Sequence, residues 1–92
     1  MIVKRKRLGK MQVTFVQEPR DEPVFVAGSF NEWQQEPLKK AKDGSLRATV
    51  TVTPGKTVAF RYVTASGVWF DDEAADGYAD NDQGSTNSLI EV

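Results

Sequence analysis

Apolar and polar residues alternate along most of this chain with the period of two that a β-strand imposes. Over residues 45–53 the alternation is unbroken, with Leu46, Ala48, Val50 and Val52 on one side and Arg47, Thr49, Thr51 and Thr53 on the other. Residues 57–64 repeat it, placing Val58, Phe60 and Tyr62 inward and Ala59, Arg61 and Val63 outward. Residues 11–17 predict a third strand whose buried side is Met11, Val13 and Phe15. Residues 24–27 carry little polarity on either face, as in a strand covered from both sides. A short return at Val68, Trp69 and Phe70 and a closing strand over 88–92 complete the set.

The residues between these runs are ones that stop strands. Pro19 and Pro23 bound a charged loop, Asp43-Gly44 is a hairpin signal, and Pro54-Gly55 and Ala65-Ser66-Gly67 are turns. Residues 71–84 read as an acidic, mostly irregular segment of solvated charges. No stretch has the period of a helix. Six or seven short antiparallel strands at roughly ten-residue spacing predict an all-β sandwich. It forms one domain over residues 11–92, preceded by a basic leader over 1–10.

Composition narrows the function. The chain has no cysteine and no histidine, which removes thiolate chemistry, the commonest general base and the commonest transition-metal ligand. No cofactor is expected. No apolar run approaches the roughly 20 residues that span a bilayer, so no membrane partner is expected, and the chain reads as cytoplasmic. The net charge of -1 hides a split, since five of the twelve basic residues lie in the first ten positions. That cluster has no interleaved aromatic and the body behind it is acidic, so it reads as a solvated leader and not as a nucleic-acid contact.

Candidate chemistry centres on residues 24–33, where an apolar strand runs through Gly28-Ser29 into Phe30-Asn31-Glu32-Trp33. A turn does not need a tryptophan, and Trp69 stands in a similar setting. An enzyme would have to work with carboxylates such as Asp71, Asp72 and Asp76, and a lone 92-residue sandwich rarely builds the cleft that paired carboxylates need. Asp80 and Asp82 with Glu91 loosely resemble a calcium loop, but the glycine falls at the wrong position and no helix flanks them. Two tryptophans, Arg61 and Asn87 suit carbohydrate better. Pyranose C–H faces stack on indoles, while sugar hydroxyls need fixed donors and acceptors. Covering half of each indole, at about 25 cal/mol per Å², contributes on the order of 4–6 kcal/mol before association entropy is subtracted. A weak site follows, with Kd on the order of 0.1–1 mM.

With these residues in view, residues 11–92 resemble the family-48 carbohydrate-binding modules. These are the glycogen-binding sandwiches of AMP-activated kinase β subunits and the isoamylase-type early-set domains, and short stand-alone bacterial members are the most similar. The resemblance is carried by Val26-Ala27-Gly28-Ser29-Phe30-Asn31-Glu32-Trp33, Phe60-Arg61-Tyr62-Val63, Gly67-Val68-Trp69 and the block from Asn81 to Val92. It implies an immunoglobulin-like early-set sandwich without catalytic activity. It also implies that Trp33 and Trp69 stack on α-1,4-linked glucose, with Arg61, Asn87 and Ser85 bonding its hydroxyls. Phe30 and Asn31 are assigned to the fold, and Tyr78 to a plug under the acidic segment in preference to a third sugar contact. The turn over 64–67 is one residue longer than the family's usual form and lacks its acid, and Asp71-Asp72 replaces an Asp-Pro pair. The rival class is a docking module for a glycogen-metabolising enzyme, with its aromatics in the contact or the core.

Overall fold

Strand β2 (Lys10–Gln17) pairs antiparallel with β6 (Leu46–Val52), bringing Val13 opposite Val50 and Phe15 opposite Ala48. β1 (Ile2–Arg7) adds to the far edge of β2, and β5 (Lys39–Lys40) to the far edge of β6. The second sheet has the order β4 (Glu36–Pro37), β3 (Val24–Gly28), β7 (Thr57–Thr64), β10 (Thr86–Glu91), β9 (Gly77–Asp80). The two-residue β8 (Trp69–Phe70) also lies on β7. The computed structural model describes residues 1–81 and 84–92, and within them the chain is the expected all-β sandwich of two antiparallel sheets. Among the described residues no helix is long and apolar enough to cross a membrane.

The core lies where the alternation placed it. Val13 and Phe15 from the first sheet meet Val24, Val26, Phe60, Tyr62 and Ile90 from the second. The Phe15 ring lies 4.9 Å from Phe60, 6.3 Å from Tyr62 edge-on, and 5.6 Å from Phe30 in a stack. Phe30 is therefore the anchor that pulls the end of β3 onto the core. Asn31 shapes the turn after it: its Oδ1 accepts from the Gly28 N–H at 3.3 Å and its Nδ2 donates to the Gln34 carbonyl at 2.7 Å.

Three parts of the chain differ from their sequence reading. Residues 2–7, read as a solvated leader ahead of the domain, keep mostly exposed side chains but form an edge strand in continuous register with β2, from Ile2 opposite Phe15 to Arg7 opposite Lys10. Their charges obscured this, because an edge strand needs backbone partners but no apolar face, and lysines are common protectors of such edges. Residues 77–80 are likewise an edge strand, on β10. Val63 does turn away from the core, yet it is buried, because the register sets Phe25 and Trp69 on either side of it.

The acidic segment is also not simply solvated. Asp72 is 1% exposed and, with buried Tyr62 and Ser88, is the hub of a hydrogen-bond network that reaches the surface. Its Oδ2 accepts from Tyr62 Oη at 2.6 Å and from the Met1 amino group at 3.1 Å, and its Oδ1 accepts from the Ala74 N–H at 2.8 Å. Its own N–H donates to Ser88 Oγ at 3.0 Å, and Tyr78 Oη donates to its carbonyl. Tyr78 is thus no buried plug; its ring is half exposed while its hydroxyl pins the segment. Asp76 pairs with Lys4 and accepts the Glu91 N–H at 2.8 Å. Asp82, part of the calcium-like pattern, lies outside the described residues.

Burial, reinforced by the bond to Asp72, holds the Tyr62 hydroxyl protonated far above the usual tyrosine range. The unfolded chain loses this proton near pH 10 while the folded chain keeps it, so stability is intact below pH 10 and declines as pH rises beyond it. The slope from this one group approaches about 1.4 kcal/mol per pH unit. Thermal melts between about pH 9 and pH 11.5 should therefore bring wild type and Tyr62→Phe closer together as pH rises. A constant gap across that range would rule Tyr62 out as the cause.

Candidate functional site

The outward face of the six-stranded sheet carries two adjoining rows set by strand register. One is apolar: Pro37 lies opposite Phe25, Phe25 opposite Val63, and Val63 opposite Trp69, across β4, β3, β7 and β8. The other is polar. Arg61 lies opposite Ala27, and continuing the pairing of Ser88 with Phe60 by one residue sets Asn87 opposite Arg61. Trp69 reaches this face because the turn over 64–67 folds β8 back onto β7. Thr64 holds that turn, its Oγ1 accepting from the Val68 N–H at 3.1 Å, and Gly67 supplies the left-handed backbone it requires (φ +92°). The turn has no acid of its own and receives one from the β2–β3 loop. Glu22 accepts the Ser66 N–H at 2.8 Å and the Ser66 hydroxyl at 3.2 Å, and these bonds lower its pKa.

Four of the five expected site residues are joined by contacts. The Arg61 guanidinium carbon sits 5.7 Å from the Trp69 ring centroid, within cation–π range, and its Nη1 donates to Ser85 Oγ at 3.2 Å. Asn81 Nδ2 then bridges Ser85 Oγ at 3.0 Å and Asn87 Oδ1 at 3.2 Å. Arg61 is less free than an outward-facing arginine was expected to be. Its side chain is 15% exposed and its Nε lies 3.7 Å from Asp71 Oδ1, drawn in by that carboxylate and by the indole. Asp71 is itself fixed by the hydroxyls of Thr86 and Ser88.

Trp33 stands outside this contact set, beyond the end of β3, and its N–H donates to the Gly28 carbonyl at 2.9 Å. Its backbone is left-handed (φ +63°), directly after Glu32 in the same region (φ +59°). A bulky residue there costs roughly 1–2 kcal/mol relative to glycine, and such strain gathers where a side chain must be presented. Both indoles are 41% exposed.

Asn81 and Asp71 are the members that sequence reasoning missed. The signal for Asn81 was its spacing to Ser85, four residues on, across which the Asn81 N–H donates to the Ser85 carbonyl at 2.9 Å. For Asp71 there was none, since only the fold brings it under Arg61. A groove of about 740 Å³ lies beside the cluster, bordered by Arg20, Phe70 and Asp71, and contains none of the five expected residues. Among the described residues no three His, Cys, Asp or Glu side chains gather as a metal site.

The fold and this face define an all-β sandwich that presents an apolar row and an indole beside fixed donors and acceptors. No family model matches the chain, and no curated protein matches it.

Proposed function

We propose that this protein is a non-catalytic module of the immunoglobulin-like early-set type that binds α-1,4-linked glucan, such as glycogen or a starch-like polymer, in the cytoplasm. The observation that carries the reading is the contact set joining Trp69, Arg61, Ser85 and Asn87 beside an apolar row. A sugar ring has one C–H-rich face and a rim of hydroxyls, and this surface offers a counterpart to each. The strained, half-exposed Trp33 supports a second platform at the neighbouring strand end. The rival reading, a docking module on a glycogen-metabolising enzyme, has its aromatics in the core or in an apolar contact. The pairing of Trp69 with fixed hydrogen-bonding groups favours the sugar.

Affinity electrophoresis in glycogen gels tests the proposal. Wild type should be retarded, and Trp69→Ala should weaken binding about 30- to 100-fold, the loss of a half-covered indole. Trp33→Gly relieves left-handed strain, so it should melt no lower than wild type while losing retardation. Free migration of folded wild type at glucan levels far above the expected Kd sinks the sugar reading and leaves the docking module.

A further inference from the structure

Folding gathers charge in a way no single segment reveals. The strands of the four-stranded sheet hold eight of the twelve basic residues and no acidic one. Those of the other sheet hold Arg61 alone against Glu36, Asp80 and Glu91. At one end of the basic sheet, β1 and β2 are joined by the two-residue turn Leu8-Gly9, with Arg7 opposite Lys10. Arg5, Lys6, Arg7 and Lys10 surround this turn, and none of them makes an ion pair among the described residues.

Leu8 is the wrong residue for that position on two counts. It is fully exposed, and its backbone is left-handed (φ +50°), followed by Gly9 at φ +79°. A two-residue hairpin turn with both residues at positive φ favours Asn-Gly or Asp-Gly. Leucine adds backbone strain and puts a bare apolar side chain in water, among four cations. Positions that break two local rules at once are those where function is to be sought.

We propose that the β1–β2 hairpin docks the protein on an anionic lipid bilayer, with Leu8 entering the boundary between headgroups and acyl chains and Arg5, Lys6, Arg7 and Lys10 lying against the headgroups. Apolar insertion and basic attraction are each weak alone and suffice together. Edge protection by lysine accounts for the charges but not for Leu8. Nucleic acid accounts for the charges but not for Leu8. The only aromatic in these strands is Phe15, which is buried in the core, so no exposed ring is available for stacking on bases. A lone leucine also has no partner on a phosphate backbone. The sequence expectation of no membrane partner rested on the lack of a spanning segment, and docking by one hairpin needs none.

Vesicle flotation tests this with phosphatidylglycerol–phosphatidylcholine vesicles beside pure phosphatidylcholine. Wild type should float with the anionic vesicles alone and lose most binding at high salt. Leu8→Asn suits the turn and should melt no lower than wild type, yet partition about tenfold less. Lys6→Gln combined with Lys10→Gln should lose about 30-fold. Glycogen retardation should be unchanged in both variants. Failure of wild type to float, or equal partition of Leu8→Asn, overturns the proposal. So does retention of duplex DNA by wild type and Leu8→Asn alike, which assigns the basic sheet to nucleic acid.

Discussion

Replacing Asp72 with alanine is expected to remove about 3–4 kcal/mol of stability, a large loss of the kind that follows when a buried hydrogen-bond network loses its central acceptor. For a domain of this size that lowers Tm by about 15–30 °C and removes a large share of a typical stability of roughly 5–15 kcal/mol. The reason is accounting of donors. Tyr62 Oη, the Ala74 N–H and the Met1 amino group all end on the Asp72 carboxylate, and in the alanine variant the Tyr62 hydroxyl loses that partner in a place water does not reach. Asp72→Asn keeps an acceptor of the same shape and should lose far less, about 1–2 kcal/mol. Denaturant melts of the two variants decide the matter. An alanine variant within about 1 kcal/mol of wild type would falsify the idea that this hub holds residues 71–78 to the sheet. The outcome bears on the site, because the same segment delivers Asp71 to Arg61.

Gly28→Ala is expected to cost about 3 kcal/mol, near the top of the usual range for overpacking. The backbone of Gly28 is extended and any residue could adopt it, so the requirement is one of space. A Cβ there would lie 2.5 Å from the Ala59 carbonyl oxygen and 2.7 Å from Phe30 Cε1. The first obstacle is backbone of β7, paired in mid-sheet. The second is a ring already stacked on Phe15, so neither can yield cheaply. Trp33 hangs from the same residue through its N–H bond to the Gly28 carbonyl. The variant should therefore shift Trp33 fluorescence, best read in a Trp69→Phe background, as well as lower Tm. A melt within about 1 kcal/mol of wild type and an unchanged spectrum would mean that the strand end has slack the structure does not have.

Gly28 also illustrates what sequence alone makes legible. The step from an apolar strand through Gly28-Ser29 to Phe30 marked a strand end, an anchor and a presented aromatic, and each is in place. The core was legible for the same reason. A period of two sorts side chains by face, and burial of one face then fixes partners such as Val13, Phe15, Phe60 and Tyr62. Hairpin signals such as Asp43-Gly44 were equally local, and Gly44 takes the left-handed backbone there (φ +88°).

Edge strands and long-range electrostatics were beyond that reach. β1 and β9 are held by backbone partners, which leave no mark in an apolar pattern, so basic and acidic runs concealed strands. Asp72 reads as one more loop acid until Tyr62, Ser88 and Ala74 close around it from positions up to 16 residues away. Arg61 reads as free until Asp71 and Trp69 confine it. The concentration of cations on one sheet exists only after β5 and β6 are laid beside β1 and β2. Sequence by itself determined which residues are apolar, where strands turn and that the product is a β-sandwich, because those follow from local period and turn chemistry. Tertiary structure alone decided which charges are paired, buried or left facing outward, because charge interactions depend on distance in space and on exclusion of water, and neither is written along the chain.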